Sequence, residues 1–537
     1  MNHIHSSTKE YDAIIVGAGF SGLYQLICLR DQLGLKCVVL ETGDDVGGTW
    51  YWNRYPGARC DTESHAYSYY FSDELLKEWT WSERYPGHEE IRKYMNFVAS
   101  KFDLKKDILF KQKVTSAKFI EDSNNWNVKT DNNNFKCKFL ITAVGCLSNT
   151  NIPKIKGLKD FEGSYYHTGN WPKDGVSFVN KTVGQIGTGS TGIQAVPVIA
   201  AEAKHLTVFQ RTANYSIPAR NKPLTEEFKK QVKENFQYYR DLIKRTPNAH
   251  PFEISDRLVS DVNSVEMNNI YEKAWEKGGL QFRAVFNDLV TNLEANNTAS
   301  DFIKNKINKT VLNKKFASIL SDIDHPYAGK RPPIDSNYFE TYNRDNVNLI
   351  DLRRDPIKCI NKNGIETEKN YIDLDIIVFA TGYDAMTGPL LNMNIFGKNN
   401  LKLKNVWKEG PKTFLGLQIP GFPNLFTITG PGSPSVLTNM PMAIEQHVEW
   451  IRDCISFMIK KEYTTIEASS NLAKKWGEEV NRVANKTLLP SVKHSWYLGA
   501  NIPGKPRVFM PYAGGLPRYS KICDDVKKNN FEDFILA

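Results

Sequence analysis

Two glycine-rich turns constrain this chain more than any other feature. Residues 12–16 form a short apolar run that reads as a buried strand, and Gly17-Ala18-Gly19-Phe20-Ser21-Gly22 follows at once. Leu23, Leu26, Ile27, Arg30 and Leu33 then recur at helical spacing, and residues 37–41 return to strand. The second copy has a strand over residues 182–186, the turn Gly187-Thr188-Gly189-Ser190-Thr191-Gly192, a helix over 193–201 and a strand over 206–209. In such a unit the first glycine permits the tight turn and the second lets backbone approach a pyrophosphate. The third lets helix pack on strand, and the phosphate lies against the positive end of the helix. The predicted class is therefore α/β, with two Rossmann-like dinucleotide-binding domains.

The residue that ends the following strand separates the two units. Glu41 lies 19 residues beyond Gly22, and Arg211 lies 19 residues beyond Gly192. A carboxylate at that place accepts hydrogen bonds from a ribose diol, which suits FAD, and would repel a 2′-phosphate. A guanidinium clamps that phosphate, so the second nucleotide is predicted to be NADPH. Singly, each residue reads as an ordinary surface charge; the shared offset carries the assignment.

From residue 221 to 324 the pattern changes to long polar helices, predicted over 225–243 and 300–320, before strands resume at 347–350 and 376–379. The expected division is an FAD domain of residues 1–147 and 386–537 and an NADP domain of 148–220 and 329–385. Residues 221–328 are a helical insertion in the latter. The Asn-rich residues 131–134 are expected to turn a hairpin.

The 69 Lys and Arg against 60 Asp and Glu leave a net charge of +9 spread along the length, which argues against a nucleic-acid partner. Eight cysteines, without a C-x-x-C pair or zinc spacing, imply no metal and reduced thiols, as in a cytoplasmic protein. The polar residues 1–10 lack a secretory core, and no run approaches the length of a membrane span, so no membrane association is expected.

Between the two turns stands Phe161-Glu162-Gly163-Ser164-Tyr165-Tyr166-His167-Thr168-Gly169-Asn170-Trp171-Pro172. It resembles the F-x-G-x-x-x-H-x-x-x-W-P fingerprint, carried by Phe161, Gly163, His167 and Trp171, of the type I Baeyer–Villiger monooxygenases. The resemblance covers nearly the whole chain. The stretch Gly47 to Asp61 is similar to the family's flavin-side loop, Phe379-Ala380-Thr381-Gly382-Tyr383-Asp384 to its inter-domain segment, and Trp496 to Lys505 to its mobile loop.

The resemblance implies oxidation of a ketone to an ester or lactone by FAD, NADPH and O2, through a flavin C4a-peroxide and a Criegee adduct. It also implies the residues. Within His325 to Pro332, Arg331 would hold the peroxide and the adduct, with Asp61 as its carboxylate neighbour, and Lys330 would join Arg211 on the 2′-phosphate. Gly48, Thr49, Trp50, Asp61 and Tyr67 would line the flavin, Thr212 and Trp496 the NADP, and Ser435, Val436, Leu437 and Met440 the ketone pocket. A small ketone and O2 are the expected partners of a monomer. The rival readings are a monooxygenase of sulfur or nitrogen heteroatoms and a non-catalytic nucleotide-binding redox sensor. A disulfide reductase is excluded, since the flavin-side loop holds Cys60 and no second cysteine.

Overall fold

The computed structural model describes residues 8–537; residues 1–7, most of the polar N-terminal stretch, lie outside it. Lys9–Val16 occupies the middle of an eight-stranded sheet, and its last four side chains are buried because both faces are covered, Ala13 and Ile15 in one core and Ile14 and Val16 in another. Cys37–Leu40 lies on one side and Asn134–Thr142 on the other, so that Val16 is opposite both Leu40 and Thr142. The first glycine turn therefore sits at the carboxyl ends of three adjacent parallel strands. Asn125–Thr130 and Asn134–Thr142 form the expected antiparallel hairpin around the Asn-rich turn, with Trp126 opposite Cys137.

The second turn belongs to a separate five-stranded sheet. Its order is Val347–Asp351, His205–Gln210, Thr182–Ile186, Ile376–Phe379 and Ser164–His167, all parallel. The α/β class with two dinucleotide folds is what the turns predict.

The helical segments differ from their predicted spans. Residues 225–243 form two helices, Glu226–Glu234 and Phe236–Arg245. The break falls at Asn235, which leaves helical geometry (φ −121°, ψ 26°) while its backbone N–H (3.0 Å) and side-chain amide (2.8 Å) both donate to the Gln231 carbonyl. Residues 300–320 are likewise divided between Leu293–Thr310 and Lys314–Ser321. Asn292 and Asn313 cap their first turns by accepting backbone N–H groups, which fixes where each helix starts. The helix after Gly22 is regular over Phe20–Leu26 and widens to a π turn over Ile27–Gln32.

This helical region packs in two directions. Tyr239, Ile243 and Ala249 are buried in the core around the first turn, with Leu23 and Ile451. Tyr271, Phe282 and Phe302 are buried in the core around the second turn, with Ile193 and Val208. The Phe282 ring lies 5.5 Å from Tyr271 and 5.8 Å from Phe302; truncating a buried aromatic of this kind costs about 3–5 kcal/mol. Among the described residues no helix is long and apolar enough to cross a membrane, and no cluster of His, Cys, Asp or Glu is placed to hold a metal. All eight cysteines are free.

Candidate active site

The first turn is packed so tightly that only glycine fits. Gly17 has φ +106°, and a Cβ there would stand 2.6 Å from the Ala143 carbonyl oxygen; one on Gly22 would run into the Gly17 carbonyl. Gly48, at φ +51°, faces Gly19 so closely that a Cβ would come within 2.7 Å of its Cα. Two backbones thus close on one slot at the start of the helix Phe20–Leu26. Glu41 is 5% exposed, and its two oxygens accept from the N–H groups of Ala18 and Gly43, both at 2.7 Å. Burial pushes its carboxyl above the ordinary range, while those N–H groups oppose the shift. Thr49 opens the short helix Thr49–Trp52. Trp50 Nε1 donates to the Tyr67 hydroxyl (3.0 Å). Gly17, Gly19, Glu41, Gly48, Thr49, Trp50 and Tyr67 all face a cleft of ≈ 890 Å³. A cradle that admits no Cβ, leading into a cleft of that size, fits a dinucleotide as large as FAD.

The second turn is built on the same plan with its middle left open. Gly187, at φ +108°, is closed by the Ala380 carbonyl, and Gly192 by that of Gly187. A Cβ on Gly189 would meet nothing within 4 Å. Ser190 and Thr191 start the helix Ser190–Glu202, whose first N–H groups point outward. Thr188 Oγ1 donates to the Thr212 carbonyl (2.9 Å), holding the strand end against the turn. Arg211 is exposed. Burial pushes the half-buried Lys330 ammonium below its ordinary value; Asp324 opposes the shift and the nearby charge of Arg211 adds to it. Two cations near enough to repel each other suit a dianionic phosphate.

Arg331 and Asp61 meet at the floor of the cleft, which both line. Nε and Nη2 of Arg331 donate to the two Asp61 oxygens at 2.5 and 2.8 Å, a planar two-point pair. Nη1 donates to the Val436 carbonyl (2.9 Å) and Nη2 also reaches the Thr62 hydroxyl (3.4 Å). Burial alone would lower the guanidinium, but the Asp61 charge and hydrogen bonds more than offset it and hold it above its ordinary value. The neighbouring Arg59 is engaged elsewhere, with Glu83 at 3.4 Å. This cleft therefore contains a permanently charged donor whose direction is fixed.

The fingerprint lies behind the cleft. His167 ends its strand opposite Phe379, is buried, and accepts the Gly169 N–H at Nδ1 (3.0 Å). Burial holds it down at about 4, so it is neutral. Phe161 and Trp171 are buried, the latter against Tyr166 and Phe178. A Cβ on Gly163 would strike the Asp375 carbonyl. None of the four faces the cleft, whereas Gly169 and Asn170 beside them do. Trp496 lines it too, 4.6 Å from the Tyr497 ring. Its loop is tied to the inter-domain segment by Lys505 on Asp384 (2.6 Å) and by Asn501 on the Tyr383 carbonyl (2.8 Å).

Of the four residues expected around the ketone, Val436 and Met440 line the cleft. Ser435 is fully buried with its hydroxyl toward the Met386 sulfur, and Leu437 packs on the core. Sequence reasoning missed Gln194, which also lines the cleft. Its side chain accepts from the Tyr55 hydroxyl (2.6 Å) and donates to the Arg59 carbonyl (3.1 Å), joining the second helix to the flavin-side loop. Its spacing of four from Ser190 puts it on the helix face that the phosphate turn exposes, and that was the available signal.

Known proteins share this arrangement. Residues 11–236 match the family model described as flavin-binding monooxygenase-like. The chain is 42% identical to a cyclohexanone 1,2-monooxygenase of Acinetobacter, covering 98% of this chain and 97% of that protein. It is 42% identical to a Baeyer–Villiger monooxygenase of Pseudooceanicola batsensis, covering 98% and 96%. A solved steroid monooxygenase bound to NADP superimposes with a TM-score of 0.94 at 45% identity, over 98% of this chain and 99% of that one. Fold and site thus define a flavin- and NADP-binding monooxygenase. Within that class, the chain belongs to the Baeyer–Villiger monooxygenases.

Proposed function

We propose that this enzyme oxidises a ketone to an ester or lactone, with Arg331 as the group that stabilises negative charge on oxygen in the cleft. FAD, reduced by NADPH, would activate O2, one atom of which is inserted beside the carbonyl while the other leaves as water. Its adenosine end would be held by Gly17, Gly19, Gly22 and Glu41, and its ring side by Gly48, Thr49, Trp50 and Tyr67. NADPH would rest on Gly187, Gly189, Ser190, Thr191 and Gly192, with Arg211, Thr212 and Lys330 at its 2′-phosphate and Trp496 closing over it.

Arg331 suits its role because a guanidinium stays charged at every working pH. Insertion of oxygen beside a carbonyl proceeds through developing negative charge on oxygen, and a fixed, partly desolvated cation stabilises it without having to reorganise. Asp61 aims the guanidinium and compensates its charge where water is scarce. The observation that carries this reading is the two-point Arg331–Asp61 pair at the floor of the cleft. Val436 and Met440 would touch the ketone, and Ser435 and Leu437 would set the turn between them.

Arg331→Ala tests it. The variant is expected to keep FAD and to consume NADPH, but to release hydrogen peroxide with product lowered at least about a hundredfold, the scale of losing one such donor. Ester formation at the wild-type rate, measured by mass spectrometry, removes Arg331 from the reaction. Offering a ketone and a sulfide together distinguishes this chemistry from heteroatom oxygenation. The proposal further takes the protein to act as a cytosolic monomer; its eight free thiols support a reducing compartment, and size-exclusion chromatography checks the monomer.

A further inference from the structure

Residues 435–439 form a tight turn that is gripped from both sides. Ser435 has the left-handed φ of 41°, and the turn closes through the N–H of Leu437 on Pro434 (3.1 Å) and of Thr438 on Ser435 (3.0 Å). From the cleft side, Arg331 Nη1 donates to the carbonyls of Val436 (2.9 Å) and Thr438 (3.4 Å). From the far side, Asn248 takes the groups in between. Its Nδ2 donates to the Leu437 carbonyl (2.6 Å), and its backbone carbonyl accepts the Asn439 N–H (2.8 Å).

The amide orientation is determined by its third partner. Arg283 Nη2 donates to Asn248 Oδ1 (2.8 Å), and a guanidinium has only donors, so the facing atom must be oxygen. Asn248 itself sits in a stiff bracket. Thr246 Oγ1 donates to the His250 carbonyl (2.8 Å), with the Ile243 carbonyl 3.1 Å away, and the Pro247 carbonyl accepts the Leu516 N–H (2.8 Å). Ala249 and His250 are buried on its inner side. The turn is thus held to the helical region by Asn248 and to the cleft by Arg331, in alternation along one strand of backbone.

We propose that Asn248 is a positioning residue for Arg331: by fixing the Leu437 carbonyl and the Asn439 N–H, it sets the carbonyls on which the guanidinium rests and so the regiochemistry of oxygen insertion. This rests on the role given to Arg331 above. Val436 lies in the turn, Met440 follows it directly, and both line the cleft, so a rotated turn moves the charged donor and the apolar wall together. A shift of about 1 Å in such a group is worth a factor of about a hundred in rate. Asparagine is needed because the site requires a donor toward Leu437 and an acceptor toward Arg283. Alanine supplies neither, and aspartate would set a carboxylate against a carbonyl.

The test uses the FAD-loaded enzyme with Asn248→Ala and Asn248→Asp, beside Arg331→Ala. NADPH-driven flavin reduction is followed by stopped flow, and ester and peroxide are measured per NADPH with a 2-substituted cyclohexanone that the wild type turns over. Both Asn248 variants are expected to reduce flavin within about twofold of wild type, to lose about ten- to a hundredfold in product per NADPH, and to change the ratio of regioisomeric lactones. An unchanged yield and ratio in either folded variant overturns the proposal. So does loss of flavin and of reduction together with product, which would mark Asn248 as a general fold residue; if the alanine variant does not fold, the aspartate variant decides alone. Product formation by Arg331→Ala defeats instead the reading on which the proposal rests.

Discussion

At the first glycine turn the charged side chain is folded into the protein, while at the second it stands in solvent. Glu41 is 5% exposed and already bonded to two backbone N–H groups, whereas Arg211 is exposed and its companion Lys330 half-buried. The glycines differ in the same sense. The middle of the first turn is closed by Gly48, and the middle of the second has open space around Gly189. A closed slot with a desolvated acceptor would retain its nucleotide, and an open one with an exposed arginine beside it would let its nucleotide come and go. On the assignment proposed above, one plan would serve both a prosthetic group and an exchanged substrate, the difference lying in burial.

The largest effect expected from this comparison is at the glycines. Gly22→Ala places a methyl into the Gly17 carbonyl, so expression is expected to yield protein without yellow colour, or none that is soluble. Gly189→Ala has room to fold and should keep full FAD absorbance while raising the KM for NADPH. Equal behaviour of the two variants breaks the contrast. Next come the charged ends. Glu41→Gln is expected to lose FAD on dilution, and Arg211→Ala to raise the KM for NADPH about ten- to a hundredfold with NADH hardly changed, as for the loss of a charged hydrogen bond of about 1.5–3 kcal/mol. Equal losses for NADPH and NADH in steady-state kinetics reject the 2′-phosphate assignment.

The smallest effect is a pH dependence confined to the second turn. The Lys330 ammonium is held below its ordinary value by burial, so its charge is present at low pH and is lost as pH rises through that depressed value. NADPH affinity is therefore expected to weaken as the solution becomes alkaline, earlier than an ordinary lysine would allow, with NADH unaffected. Lys330→Arg, charged throughout, should flatten the profile; a slope that survives in that variant assigns the titration to another group.

The two turns were legible because close contacts require glycine at most of their positions, as at Gly22 and Gly192, and periodicity marked the strands around them. The helix ends were less so. The apolar pattern runs on across Asn235, and only its departure from helical geometry shows that the helix stops. What local pattern could not supply is proximity. Arg331 meets Asp61 across 270 positions, and Asn248 meets Leu437 across 189. Family resemblance anticipated the first pair. No feature of Pro247-Asn248-Ala249 announced the second, since an asparagine in a polar connection reads as a turn residue.

The double packing of the helical region bears on how relatives of this enzyme can be recombined. Exchanging residues 221–328 as one cassette would tear Tyr239, Ile243 and Ala249 from one nucleus and Tyr271, Phe282 and Phe302 from another. A crossover placed just after His250 respects both, leaving the donor free to bring its own aromatic bundle while the recipient keeps the bracket beneath its reaction chamber.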